Sequence, residues 1–240
     1  MKCSLAQRST AEFLGTAFLV AAVIGSGIMA EWLAGGNLAL ALLANTMATG
    51  AALVALILTL AEISGAHLNP AVTLSSAATG GFPWKEAPHY LLAQVLGGGF
   101  GAVTAHLMFG LPALSVSQHA RGGAAQGFSE FVATFGLLAV IQGCSRRGSS
   151  VVAIAVGSYI MAAYWFTAST SFANPAVTLA RSLSDTFAGI APANVPLFIA
   201  AQLAGGAVAT LLLGGLSRAE AAAKLAGAQK KTPRLGAGAF

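Results

Sequence analysis

Charge is what this 240-residue chain has least of: Asp, Glu, Lys and Arg together make 8%, where a soluble domain carries about 25%. So little charge cannot cover a water-soluble surface. Cysteine is scarcer still. Two thiols, Cys3 and Cys144, rule out a disulfide framework and a four-cysteine zinc site. Both fall near one expected membrane face, where they read as spare thiols or, alternatively, as a metal or arsenical site. Only 7 acidic residues and 4 histidines are present. No catalytic triad, metal-ligand cluster or phosphate loop stands among them, so neither an enzyme nor a resident cofactor is expected. The net charge of +5 is not a nucleic-acid footprint, because its placement follows a different rule.

What the chain has instead is apolar length. Hydrophobic residues make 56% of it, the mean hydropathy is +0.77, and the apolar runs reach the roughly 20 residues that a membrane-crossing helix needs. With 29 glycines, helices can pack closely in lipid through small residues. Six spans are expected, over about 11–33, 38–61, 88–109, 127–144, 151–167 and 195–216. Two further segments, 63–79 and 168–186, read as re-entrant loops with half-helices. The organisation is thus a tail (1–10), a first repeat (11–109), an external loop (110–126), a second repeat (127–216) and a second tail (217–240). With the N-terminus inside, Lys2, Arg8, Lys85, Arg146, Arg147, Arg218, Lys224, Lys230, Lys231 and Arg234 fall on the cytoplasmic side, and only Arg121 and Arg181 fall outside. The positive-inside rule therefore expects both termini in the cytoplasm.

Two stretches organise the rest: Ser64-Gly65-Ala66-His67-Leu68-Asn69-Pro70-Ala71-Val72-Thr73 and its echo Phe172-Ala173-Asn174-Pro175-Ala176-Val177-Thr178. Asn is a favoured N-cap and Pro a favoured first helical residue. Each triplet is therefore a helix start set among segments apolar enough to cross a membrane, and a polar helix start at that depth must be buried in protein or wetted by a cavity. The halves repeat elsewhere too. Glu12-Phe13 returns as Glu130-Phe131, and Ala93-Gln94 with Gly97-Gly98 returns as Ala201-Gln202 with Gly205-Gly206. Three spans per half force the halves to insert in opposite senses, which puts the functional site at their interface near the midplane. There each Asn carbonyl oxygen caps its own half-helix and its NH2 is left to donate. The half-helix N-termini bring partial positive charge to the same point, a barrier to cations but not to neutral molecules. Glu12 and Glu130 admit two readings, a proton relay or a brace for the loop of each repeat, and their symmetry favours the brace. An ion-coupled secondary transporter is the competing class, with these two as its proton carriers.

These motifs resemble those of the aquaporin/aquaglyceroporin channels, over roughly residues 8 to 216. The resemblance implies an all-α membrane fold of six transmembrane helices plus two half-helices in an inverted repeat, assembled as a homotetramer with one pore per subunit. It implies that His67 lines the pore, although a plain loop hydrogen-bonder is the alternative; the non-helical stretches Gly65 to Leu68 and Thr170 to Ala173 are themselves expected to supply carbonyl acceptors there. One departure is plain: most of the family carries Arg directly after the second triplet, and here that residue is Val177. Counting without gaps from the motifs places the filter at Thr49, Ala162, Ser171 and Val177, a wide and weakly polar ring. Bacterial channels with this Val resemble the arsenic-resistance aquaglyceroporins, which implies passage of arsenous acid and methylated arsenicals across a bacterial inner membrane. The alternative within the class is a general glycerol, urea or water pore. Arg181, one turn beyond Val177, either stands at the outer mouth or, as favoured here, snorkels or pairs with Asp185.

Overall fold

The computed structural model describes the backbone of residues 3–231 and the side chains of residues 3–214. Among the described residues there are eight α-helices and no strand: α1 (Leu5–Leu33), α2 (Leu38–Ser64), α3 (Pro70–Ala78), α4 (Ala87–Met108), α5 (Ala124–Cys144), α6 (Ser149–Phe166), α7 (Pro175–Arg181) and α8 (Val195–Lys231). Six of them are long and apolar enough to cross a membrane; α3 and α7, with 9 and 7 residues, are not. The helix starts differ from expectation at the N-terminal tail. Ser4 and Gln7 form a reciprocal capping box, which satisfies two of the free N–H groups at a helix start and begins α1 inside the segment read as a tail. At the other end α8 runs on to Lys231. The rest of the expected 217–240 tail, Arg234 included, lies outside the described residues, as does Lys2.

The helices pair as two equivalent sets. The principal contacts join α1 with α2 and α4 in the first repeat and α5 with α8 in the second, where α5 also meets α6; α2 packs closely on α6 across the two repeats. Glycine lets the pairs approach: a Cβ added at Gly97 or Gly101 of α4 would strike the carbonyl oxygen of Phe13 or Ala17 on α1. At Gly205 of α8 it would strike that of Phe131 on α5. Close backbone contact replaces the hydrophobic drive that lipid does not supply. Consistently, large apolar side chains such as Phe18, Leu92, Phe100, Phe128 and Leu211 are exposed, as a lipid-facing surface requires.

Between the two sets, α3 and α7 enter from opposite sides and touch. The chain reaches each of them through a non-helical stretch in which non-glycine residues take left-handed φ: Ala66 and Leu68 before α3, and Thr170, Ser171 and Ala173 before α7. Left-handed backbone costs a side-chain-bearing residue about 1–2 kcal/mol, so something must hold these stretches in place.

Candidate pore and filter

What holds them is a buried carboxylate in each repeat. Glu12 Oε1 accepts from Ser64 Oγ at 2.7 Å and from the His67 N–H at 2.9 Å. Its Oε2 accepts from the Leu68 N–H at 2.6 Å and from Gln94 Nε2 at 2.8 Å. Glu130 repeats the scheme, accepting from the N–H groups of Phe172 and Ala173 at 2.9 and 2.8 Å and from Gln202 Nε2 at 2.6 Å. Each glutamine also donates to the threonine of its half-helix, Gln94 to Thr73 at 3.0 Å and Gln202 to Thr178 at 2.9 Å. All six side chains of these two sets (Glu12, Gln94, Thr73, Glu130, Gln202 and Thr178) are fully buried. Carboxylates so engaged brace the strained loops, and neither lines the cavity between the repeats.

The two Asn-Pro-Ala triplets meet where α3 and α7 meet. Asn69 Oδ1 accepts from the Ala71 N–H at 2.9 Å, and Asn174 Oδ1 from those of Ala176 and Val177 at 3.0 and 3.3 Å. Pro70 and Pro175 open the two helices. The amide NH2 groups differ from the expectation of two unengaged donors. Asn69 Nδ2 donates to the Ala173 carbonyl at 2.7 Å, and Asn174 Nδ2 to the Leu68 carbonyl at 2.8 Å. Each repeat's asparagine thus ties down the carbonyl just before the other's. One of the two N–H bonds of each amide is used in this way, and one per amide remains for a solute.

A cavity of about 400 Å³ runs past this junction. Stripes spaced by four residues, one face of a helix, form its walls: Thr49, Leu53 and Ile57 on α2, and Val152, Val156, Ile160 and Tyr164 on α6. At the end near Gly81 and Ser145, His67 lines it. The His67 ring is packed 5.2 Å from Phe82 and 5.4 Å from Tyr90, with Nδ1 3.1 Å from Thr73 Oγ1. At the opposite end stand Thr49, Ser171, Val177, Phe172 and Arg181. Among the described residues no group of three potential metal ligands exists.

Three of the four counted filter positions therefore face the cavity, and Ala162 does not. It is exposed on the outer side of α6, off the Val156–Ile160–Tyr164 stripe. Tyr164 occupies the wall instead, donating to Thr49 Oγ1 at 3.3 Å. Ungapped counting from Asn174 crosses a loop whose length it cannot know, whereas the spacing of four along α6 picks out Tyr164 directly. Thr170 is also off the cavity; its hydroxyl lies 3.5 Å from Arg121.

Arg181 overturns the favoured reading most fully. Its side chain is 2% exposed; it does not reach out to the interface. Nε donates to the Ala188 carbonyl, and the guanidinium carbon lies 3.3 Å from the centre of the Phe172 ring. Asp185 is engaged elsewhere, accepting from the Gln118 N–H at 2.8 Å and donating its own N–H to Ser115 Oγ at 3.0 Å. These bonds, with those from Ser115 and Ser117 N–H to the carbonyls of Leu183 and Ser182, staple the external loop over the end of α7. His106, fully buried, supports the staple through Pro112 and Ser184. From this loop Arg121 turns inward, donating to the Gly189 and Phe187 carbonyls at 2.8 and 3.3 Å. Burial draws the Arg121 pKa below its ordinary value. His119, beside it, is lowered by burial first and then by the charges of Arg121 and Arg181, so the neutral imidazole is favoured.

An inverted pair of asparagine-capped half-helices meeting beside a cavity is one arrangement, and the family description Major intrinsic protein matches residues 1–168 and 145–238 of this chain. The chain belongs to the major intrinsic protein family. Among similar members, the aquaglyceroporin AqpS of Rhizobium meliloti (strain 1021) is 53% identical over 209 residues, covering 87% of this chain and 89% of that one. The aquaporin NIP1-4 of Oryza sativa subsp. japonica is 37% identical over 212 residues, 86% of this chain and 76% of that one. The X-ray structure of the aquaglyceroporin from Plasmodium falciparum has the same fold, with a TM-score of 0.69 at 24% identity over 88% of this chain and 96% of that one. As a major intrinsic protein the chain is a multi-pass membrane protein and a passive solute channel.

Proposed function

We propose that this channel conducts small neutral hydroxyl-bearing solutes, with arsenous acid and methylated arsenicals as its physiological cargo and glycerol and water as further permeants. The observation that carries the reading is the short apolar side chain of Val177 on the cavity wall, directly beyond Asn174. A valine there leaves room for a bulkier triol than a pore narrowed by a longer residue would pass. The one remaining N–H of each asparagine amide offers a passing hydroxyl a replacement for its hydration. The half-helix N-termini discourage cations at the same level. The channel is proposed to serve arsenic efflux as a homotetramer in a bacterial inner membrane, with both termini in the cytoplasm.

The carboxylate geometry speaks against proton-coupled transport. Glu12 and Glu130 accept four and three hydrogen bonds and lie off the cavity. Stopped-flow light scattering on proteoliposomes tests the reading with water, glycerol and arsenous acid as solutes. The wild type is expected to take up all the neutral solutes faster than empty vesicles, with no effect of a protonophore. Val177→Arg is expected to slow arsenous acid and glycerol uptake on the order of tenfold while sparing water more, because an added charge and four heavy atoms narrow the passage. Arsenous acid uptake unchanged by that substitution would count against the Val177 reading.

A further inference from the structure

We propose that Arg181, clamped on Phe172 and accompanied there by Arg121, is the charged constriction of this pore, standing one helical turn outside Val177. The proposal rests on the channel reading above and assigns it a selectivity residue at an unexpected position.

Arg181 is almost wholly enclosed, and yet it lines the cavity. Its Nε donates to the Ala188 carbonyl, and its side chain is hydrogen-bonded to Tyr164, a neighbour on the cavity wall. No carboxylate lies within ion-pair distance: the ion pair recorded among the described residues is Arg8 with Glu86, at the start of α1 and α4. The aromatic face of Phe172 takes the place of a counter-ion. A guanidinium stacked on an aromatic ring is held without being neutralised, so its charge remains available to whatever enters.

The clamp itself is built. The Phe172 ring packs edge-on against Phe198 at 5.1 Å, and the Phe172 N–H is fixed by Glu130. The Arg121 guanidinium lies 5.3 Å from the same ring, anchored by the carbonyls of Gly189 and Phe187. Tyr164 adjoins Arg181 and passes its own hydrogen to Thr49. The ring at this level therefore offers guanidinium donors, a phenol, a threonine hydroxyl and the methyls of Val177. A neutral solute finds donors for its oxygens, and a cation meets the Arg181 charge on the wall with that of Arg121 behind it, in a low-dielectric passage where charges act more strongly than in water.

The test uses the full chain in proteoliposomes and two readouts, cation leak under an imposed potassium diffusion potential and glycerol uptake by light scattering. In Arg181→Gln the leak is expected to rise on the order of tenfold, and glycerol uptake faster than that of empty vesicles shows that the variant has inserted as an open channel. Phe172→Leu keeps the arginine but frees it, and Arg121→Gln removes the accompanying charge; each is expected to raise the leak by a smaller factor. The proposal is overturned if Arg181→Gln takes up glycerol faster than empty vesicles and leaks no more than the wild type. Should that variant fail to insert, it is overturned if neither Phe172→Leu nor Arg121→Gln raises the leak. A wild type that passes no neutral solute above empty vesicles overturns the channel reading along with it, so the two failures are distinct.

Discussion

At the scale of single residues, the two glutamates show how an expensive group is made stable inside an apolar bundle. A buried carboxylate is tolerated when its oxygens are filled with donors, and Glu12 receives four while Glu130 receives three. Glu12→Gln replaces one oxygen by an NH2 that must face either the Leu68 N–H and the Gln94 amide or the Ser64 hydroxyl and the His67 N–H. Donor then meets donor. The expected cost is about 2–3 kcal/mol, read as a lower midpoint of thermal denaturation in detergent, and Glu130→Gln should behave alike. Were these groups proton carriers instead, the glutamine variants would keep their thermal midpoint and lose only transport. The double role of the triplet asparagines was half legible from residue types alone: an Asn before Pro announces a cap, but nothing in the tripeptide says which carbonyl its NH2 will reach.

At the scale of elements, the close pairs α1 with α4 and α5 with α8 depend on glycines whose positions differ sharply in consequence. Gly101→Ala and Gly205→Ala put a methyl against a neighbouring backbone carbonyl, so each should force its helix pair apart and lower the denaturation midpoint by several degrees. Gly99 is the internal control, since a Cβ there meets nothing within 4 Å. Gly99→Ala should be neutral or stabilise by about 0.5–1 kcal/mol through helix propensity. Reversal of this order would mean that the glycines serve something other than packing. The helices were legible in the sequence because hydropathy and length decide a membrane span with little competition. The half-helix starts were legible because Asn-Pro is punctuation. The cavity lining was legible only in part. Ser171 and Val177 lie within three residues of Asn174, whereas Thr49 and Tyr164 both lie across a loop from their triplets, and Arg181 takes its direction from Phe172 and Ala188, neither of which any periodicity links to it.

At the scale of the molecule, the inverted repeat places the basic turn at Arg146–Arg147 and the N-terminal segment on one side and the stapled loop with Arg121 on the other. Cys144, half-buried at the end of α5, reports that sidedness. In a Cys3→Ser background, a membrane-impermeant maleimide is expected to label Cys144 in inside-out vesicles and not in right-side-out ones; the opposite pattern would invert the topology. The crossed asparagine bonds carry a consequence for how such a chain is made. While the ribosome has delivered only the first repeat, the Leu68 carbonyl lacks its Asn174 donor and the Asn69 amide lacks its Ala173 acceptor. The nascent first half is therefore an unfinished object in lipid, and it reaches its final shape only when residues of the second half arrive to complete it. Synthesis order and folding order separate here: the earlier-made of the two half-helix starts is among the last parts to set.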